Sequence, residues 1–97
     1  MAIAYLQELD QDITEQYDAV SEKLNARSDP PPGLIVHTAA RTPDGGFRIF
    51  DVWESEEAFE RFNQERISPA MAEVAGDATP PEPTRREIYE LHDLVKP

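Results

Sequence analysis

His37, Asp51 and Trp53 are the residues whose types and spacing suggest chemistry, because a turn brings them onto one face of a predicted hairpin. Segment 42–46 (TPDGG) joins two apolar segments; its proline presets a turn, and its first glycine suits the left-handed conformation. We expect a three-residue loop with a glycine bulge, since a two-residue Asp-Gly loop would require a proline N–H in the ladder. Counting back from this loop places His37 opposite Asp51, and Ile35 opposite Trp53 on the same face.

These residues suit general-base chemistry. A carboxylate beside an imidazole favours the charged ring and orients it, so His37 could act as a base near neutral pH with Asp51 as its partner. Trp53 would then line an aromatic cavity. A structural interpretation fits the same residues: an ordinary cross-strand pair that stabilises the sheet, and a tryptophan packed in the core. The pattern alone leaves both interpretations open.

The composition limits the possible partners. The 97 residues include 20 acidic and nine basic side chains, which give a net charge of −11. Such acidity repels phosphate backbones and anionic membranes, so we expect no nucleic-acid or membrane partner. The absence of cysteine excludes disulfides and thiolate metal sites, and two distant histidines do not indicate zinc. No leader-like start or run of ~20 apolar residues is present, which predicts one cytoplasmic domain over residues 1–97.

The elements that position the hairpin are one strand and one helix on either side of it. Apolar periodicity and turn residues predict six elements, in the order strand 2–8, a helix from Asp12, strands 34–41 and 47–53, a helix from Ser55, and a last strand within 84–95. Proline-rich loops at 29–32 and 77–83 separate the helices from the strands that follow them.

Both helices carry start signals and an apolar face. Asp12 is the predicted cap of the first helix, with Glu15 in the capping-box position. Ser55 is the predicted cap of the second helix, which should pack Phe59 and Phe62 inward. The inward stripe of the first helix follows helical spacing and comprises Ile13, Tyr17, Val20 and Leu24.

A proline divides the second helical segment. Pro69 disfavours helical geometry in the residue before it, so we expect a break near Ile67 and Ser68. Ser68 would then cap a short helix that ends at Gly76. The inward residues of this short helix are expected to be Met71, Val74 and Ala75.

The order strand-helix-strand-strand-helix-strand predicts an α+β, ferredoxin-like fold with a four-stranded antiparallel sheet and two helices on one face. The second sheet face would be apolar in either orientation. An apolar face of this size typically marks an interface, so we expect a homodimer joined sheet to sheet. The exposed set would be either Val36, Thr38, Phe50 and Val52, or Ile35, Ala39, Phe47, Ile49 and Trp53.

Three segments resemble the dimeric α+β barrel superfamily, and within it small proteins similar to the antibiotic biosynthesis monooxygenase family. They are Gly33–His37, Asp51–Phe59 and Arg66–Met71. The resemblance implies a dimeric α/β barrel that holds a small hydrophobic or aromatic substrate in a cleft between sheet and helices. It also implies a base that activates an acidic substrate, whose carbanion meets oxygen without a cofactor. Haem chemistry is not expected, because haem-degrading relatives carry a histidine ligand on the second helix and segment 56–73 has none.

On this basis His37 and Asp51 are the candidate catalytic residues, with no metal and no cofactor. Each tyrosine could place its hydroxyl in the cavity or pack in the core. Arg66 could bind a substrate carboxylate or end its helix in solvent. The alternative function is a non-catalytic ligand-binding protein or a structural dimer module of the same fold. The candidate substrate-binding residues are Trp53, Tyr5, Phe59, Phe62 and Arg66.

Overall fold

The fold is built on one four-stranded antiparallel sheet, seen in a computed structural model that describes residues 1–76, 78 and 82–97. Its strands are β1 (Ile3–Leu9), β2 (Leu34–Arg41), β3 (Phe47–Trp53) and β4 (Arg85–Glu90). They lie in the order β2-β3-β1-β4, which confirms the ferredoxin-like arrangement. Helix α1 (Thr14–Leu24) connects β1 to β2, and a longer helical arm follows β3. The arm comprises α2 (Glu56–Phe62), one π-helical turn (Asn63–Ile67) and α3 (Ser68–Ala75).

The hairpin of β2 and β3 has the predicted loop. The N–H of Thr42 donates to the carbonyl of Gly46 at 3.0 Å, and Gly45 adopts a left-handed φ of +88°. Because this loop fixes the register in which β2 pairs with β3, His37 lies opposite Asp51 as predicted.

The predicted pairing of Ile35 with Trp53 is wrong. A β-bulge between Leu34 and Val36 places Leu34 opposite Trp53 instead. The extra residue on β2 interrupts the alternation of side chains, so Leu34 packs against the core that contains Trp53. The register after the bulge, from Val36 onward, is the predicted one.

Helix α1 begins slightly later than predicted. The carboxylate of Asp12 accepts a hydrogen bond from the N–H of Thr14 at 2.9 Å, but Ile13 occupies the cap position and makes no side-chain cap bond. The assignment of Asp12 as the cap is therefore wrong by one residue. The helix ends at Asn25, which adopts a left-handed φ of 51° and donates its N–H to the carbonyl of Ser21.

The predicted helix break near Ile67 and Ser68 is wrong, because the backbone stays helical through both residues. Pro69 has no N–H, and its ring crowds the carbonyl four residues earlier, that of Glu65. A π-helical turn accommodates the proline, since the N–H of Ser68 bonds to the carbonyl of Asn63, five residues back. Ser68 is thus a helical residue and not the predicted cap.

The two ends of the helical arm match the predictions. The Ser55 hydroxyl accepts the N–H of Ala58 at 3.1 Å, and Gly76 ends α3 with a φ of +57° and a bond to the carbonyl of Ala72. The inward position expected for Met71 is wrong, because its side chain is 37% exposed. The alanine before it is buried instead.

The core lies between the sheet and the helices. Leu34, Ala58 and Phe62 pack against its central cluster. The face that carries Asp51 and Trp53 is therefore the helix-facing side, and the first of the two sets predicted to be exposed lies on the opposite face. The predicted exposure of Val52 in that set is wrong, because its side chain is 7% exposed. The central cluster comprises Ile3, Tyr5, Trp53 and Phe59.

The opposite sheet surface, which we call the open sheet face, has an apolar centre and a charged end. At the charged end Glu8 forms ion pairs with Arg48 at 2.9 Å and with Arg85 at 3.1 Å. Within the described residues no helix packs on this side. The exposed apolar residues at its centre are Val36, Phe50 and Tyr89.

Strand β4 confirms the predicted last strand at a shorter length. The N–H of Thr84 donates to the carbonyl of Glu8, and the N–H of Leu91 donates to that of Ala2. Part of the predicted loop 77–83, namely positions 77 and 79–81, lies outside the described residues. Among the described residues, no helix combines the length and hydropathy needed to cross a membrane.

Candidate functional site

His37 stands between two hydrogen-bonding partners from different elements. Its Nδ1 lies 2.5 Å from Oδ1 of Asp51 on β3, and its Nε2 lies 2.5 Å from the hydroxyl of Tyr17 on α1. The His37 side chain is 38% exposed, whereas that of Asp51 is 8% exposed. The histidine and carboxylate predicted to face each other therefore do so within hydrogen-bond distance.

Trp53 completes the surroundings of the carboxylate. Its indole Nε1 donates to Oδ2 of Asp51 at 3.4 Å, so each oxygen of this buried side chain has its own donor. A buried carboxylate requires such partners, because losing its water shell is costly. Trp53 itself is 1% exposed, which makes it a core residue as well as a donor.

Tyr17 is the member of this cluster that sequence reasoning did not connect to His37. Its ring lies 5.3 Å from that of Phe47 and nearly parallel to the imidazole, with centroids 6.0 Å apart. Burial, and then the negative charge of Asp51, raise the pKa of the Tyr17 hydroxyl. Its place on the inward stripe of α1 indicated only that it faces the sheet. Which sheet residue it meets depends on how α1 crosses the sheet.

The predicted aromatic residues form one packed group beside Asp51. The ring of Tyr5 lies 4.4 Å from that of Phe59, while Trp53 lies 5.7 Å from Phe59 and 5.5 Å from Phe62. The Tyr5 hydroxyl donates to the side chain of a neighbouring glutamine at 2.8 Å, and burial is the main cause of its raised pKa. These side chains fill the space under the sheet next to the cluster.

Arg66 lies apart from His37. Its guanidinium donates to the carbonyl of Leu24 at 2.5 Å and to that of Asp29 at 3.1 Å, and it lies 5.1 Å from the centre of the Phe62 ring. It therefore ties the helical arm to the end of α1. These two bonds use two of the five N–H donors of the guanidinium, and the role of Arg66 in binding a substrate carboxylate stays a prediction.

Among the concavities formed by the described residues are two that His37 does not line. The larger, about 450 Å³, lies between the sheet and the start of α2 and is lined by Ile3, Ile88 and three glutamates. The second, about 330 Å³, lies beside the hairpin loop. His37 lies on β2, which is an edge strand, and its partly exposed side chain is reached from the surface.

Comparison with protein-family models and with curated proteins finds no match. Solved structures do share the fold. SnoaB, a cofactor-independent oxygenase from Streptomyces nogalater, matches with a TM-score of 0.65 at 16% identity, over 97% of this chain and 96% of SnoaB. A Caulobacter crescentus CB15 protein, provisionally assigned as an antibiotic biosynthesis monooxygenase, gives a TM-score of 0.71 at 16% identity, over 95% of this chain and 91% of that protein. A conserved protein from Methanosarcina mazei Go1 gives a TM-score of 0.64 at 14% identity, over 92% of this chain and 91% of that protein.

These structures confirm the expected resemblance at the level of fold. The chain has the α+β, ferredoxin-like fold of monooxygenase-like proteins. At such low identity the likeness carries no information about individual site residues. The function must therefore be argued from the cluster around His37.

Proposed function

We propose that this protein is a cofactor-independent enzyme that removes a proton from a small hydrophobic or aromatic substrate, with His37 as the base. The observation that carries the proposal is the hydrogen-bonded chain from Tyr17 through His37 and Asp51 to Trp53. A buried carboxylate that orients a half-exposed imidazole is a recurring arrangement for general bases. The fold shared with SnoaB, itself a cofactor-independent oxygenase, agrees with this chemistry.

The reaction begins with proton transfer. Because Asp51 accepts the Nδ1 proton of His37, the lone pair on Nε2 is the basic position. A substrate C–H bond breaks, its electron pair stays on carbon, and the carboxylate stabilises the imidazolium that forms. Dioxygen then oxidises the carbanion. A CH₂ group and O₂ become a carbonyl group and water, which balances atoms and electrons and returns the base to its neutral form.

The enzyme acts in this proposal as a homodimer joined through the open sheet face. Val36, Phe50 and Tyr89 are between 38% and 45% exposed there. Exposing this apolar area to water is unfavourable, and a partner surface would bury it. The neighbouring Glu8 and Arg48 offer opposite charges to a symmetry-related copy. His37 lies on the other side of the sheet, so each subunit keeps its own site.

The catalytic assignment can be tested with His37→Ala and Asp51→Asn. Oxygen consumption is measured with a panel of aromatic compounds that carry an acidic C–H group. His37→Ala should lower kcat by about 100-fold or more, the usual effect of removing a general base. His92→Ala is the matched control, because His92 is exposed in the C-terminal segment. Full activity of His37→Ala on a substrate that the wild type turns over would refute the proposal.

A second candidate is a ligand-binding module that does not turn over its ligand. It is favoured by the cleft of about 450 Å³ that His37 does not line. A protein of this kind would bind small apolar molecules beside Ile3 and Ile88, with the same affinity in His37→Ala. NMR shifts confined to that cleft, without oxygen consumption, would support this alternative.

A further inference from the structure

We propose that Tyr17 is the residue that touches the substrate and takes its proton, while His37 accepts the tyrosine proton in the same step. This inference rests on the proposed function and adds a catalytic residue to it. The imidazole of His37 has no free nitrogen, since Nδ1 is bonded to Asp51 and Nε2 to Tyr17. A substrate therefore contacts the Tyr17 hydroxyl, at the outer end of the hydrogen-bonded chain, before it contacts the imidazole of His37.

The donor and acceptor of each hydrogen bond in the chain can be assigned by starting from Trp53, at its buried end. The indole of Trp53 can only donate, so Asp51 accepts on Oδ2. The ionised carboxylate also accepts on Oδ1, which places the His37 proton on Nδ1. Nε2 is then an acceptor, and the Tyr17 hydroxyl must be the donor. The lone pairs of the tyrosine oxygen remain available to an incoming acidic group.

The proton transfer through this chain balances. The substrate C–H bond breaks and a new O–H bond forms on Tyr17, while the original tyrosine O–H bond breaks and an N–H bond forms on Nε2 of His37. The electron pair stays on the substrate carbon. After the transfer, an imidazolium lies beside the Asp51 carboxylate, and the buried negative charge stabilises it.

The surroundings of Tyr17 favour this coupled step over a free phenolate. Burial and the charge of Asp51 raise the pKa of its hydroxyl, so the tyrosine keeps a proton until His37 can take it. The ring is held against Phe47, which fixes where the oxygen points. The contact between Tyr17 and His37 lies at an exposed position, so a substrate can reach it.

Tyr17→Phe tests the inference, because it keeps the ring and removes only the hydroxyl. The probe is nitrobenzisoxazole, which opens to a coloured phenolate when a base removes its ring C–H proton, with no need for oxygen. We expect kcat to fall by about 100-fold, within the range for acid–base groups, with KM changed by less than about twofold. Tyr89→Phe is the control, since this tyrosine lies on the open sheet face.

The outcomes separate the two proposals. If His37→Ala is inactive and Tyr17→Phe keeps the wild-type kcat, Tyr17 is only a packing residue and the inference is overturned, while the proposed function stands. If His37→Ala also keeps the wild-type rate, or if the wild type is no faster than free imidazole, the proposed function falls.

Nitrogen NMR of the His37 ring gives a readout that does not depend on turnover. Tyr17→Phe should shift the Nε2 resonance strongly and leave Nδ1 nearly in place, since only the first loses its partner. An Nε2 resonance that does not respond to this substitution would show that the hydroxyl does not contact the ring in solution. That result would also overturn the inference.

Discussion

The backbone of Gly33 passes so close to Ala58 that a Cβ atom built on the glycine would lie 2.6 Å from the alanine Cβ. Gly33 also has a φ of +89°, a conformation that L-residues rarely adopt. This contact joins the start of β2 to the first turn of α2. It sets how closely the helical arm can approach the sheet beside the Asp51 cluster.

Gly33→Ala should therefore destabilise the protein more than a glycine substitution that adds only backbone strain from a positive φ. Gly45→Ala is the matched control, because Gly45 has a φ of +88° but open space around its Cβ position. We expect a loss of about 1 kcal/mol for Gly45→Ala and about 2–4 kcal/mol for Gly33→Ala, which adds an overlap to the strain. Urea unfolding, followed by the fluorescence of Trp53, the single tryptophan, measures both.

The overlap term can be isolated with Ala58→Gly. In this background the cost of Gly33→Ala should fall towards that of Gly45→Ala, because the clashing atom is gone. Equal costs for the two glycine substitutions in the wild-type background would contradict the close approach.

Asp51→Asn should lower the pKa of two tyrosines and leave the third unchanged. The charge of Asp51 contributes to the raised pKa of both Tyr17 and Tyr5, after the effect of burial in each case. The raised pKa of Tyr89 has other causes, chiefly its bond to Glu87, so Tyr89 serves as an internal control. Carbon NMR of the tyrosine rings during an alkaline titration resolves the three. Equal shifts in all three would disprove a local effect.

The same tyrosines predict how stability depends on alkaline pH. Their folded-state pKa lies above the usual value of 10.0, so the folded chain holds these protons more tightly than the unfolded chain. This contribution to stability is present below pH 10 and is lost as the pH rises through the folded-state pKa. The free energy of unfolding should fall with pH in that range, and less steeply in Tyr17→Phe. An equal slope in that variant would contradict the prediction.

Arg66→Met should weaken the junction between the helical arm and α1. The substitution removes charge-assisted bonds to the carbonyls of Leu24 and Asp29, together with the guanidinium over the Phe62 ring, and keeps an unbranched apolar side chain. We expect a loss of about 1–2 kcal/mol in urea unfolding. Arg61→Met, at an exposed position of α2, is the control and should change stability by less than about 0.5 kcal/mol. Similar losses for the two variants would rule out a special role for Arg66.

Phe50→Asp should convert the proposed dimer into a monomer. Phe50 is 38% exposed at the centre of the open sheet face, where a buried carboxylate would have no partner. Met71→Asp is a control with similar exposure, 37%, on the helical side. Light scattering at micromolar concentration should give half the wild-type mass for the first variant and the full mass for the second. A monomeric wild type would end the dimer proposal.

Local signals account for what the sequence predicted well. The loop of segment 42–46 determines the register of the hairpin, so the pairing of His37 with Asp51 followed from turn chemistry alone. The Ser55 cap and the Gly76 stop followed from the preferences of single residues. Each of these features depends on neighbours a few positions away.

Three of the misses depend on contacts between distant parts of the chain. The bulge at Leu34 forms because that side chain gains a place in the core beside Trp53. A proline normally suggests a break, but α1 packs against the arm, and the π turn keeps the arm continuous. Tyr17 meets His37 only because α1 crosses the sheet at that point. No periodicity along the chain carries this information.

The bulge in β2 also has a consequence for how copies of the chain can associate. β2 is an edge strand, and an irregular edge is a poor template for another strand to extend the ladder. The opposite edge, β4, is six residues long and carries four charged residues within that length. Both edges of the sheet thus discourage the unlimited edge-to-edge addition of further copies that would build a fibre.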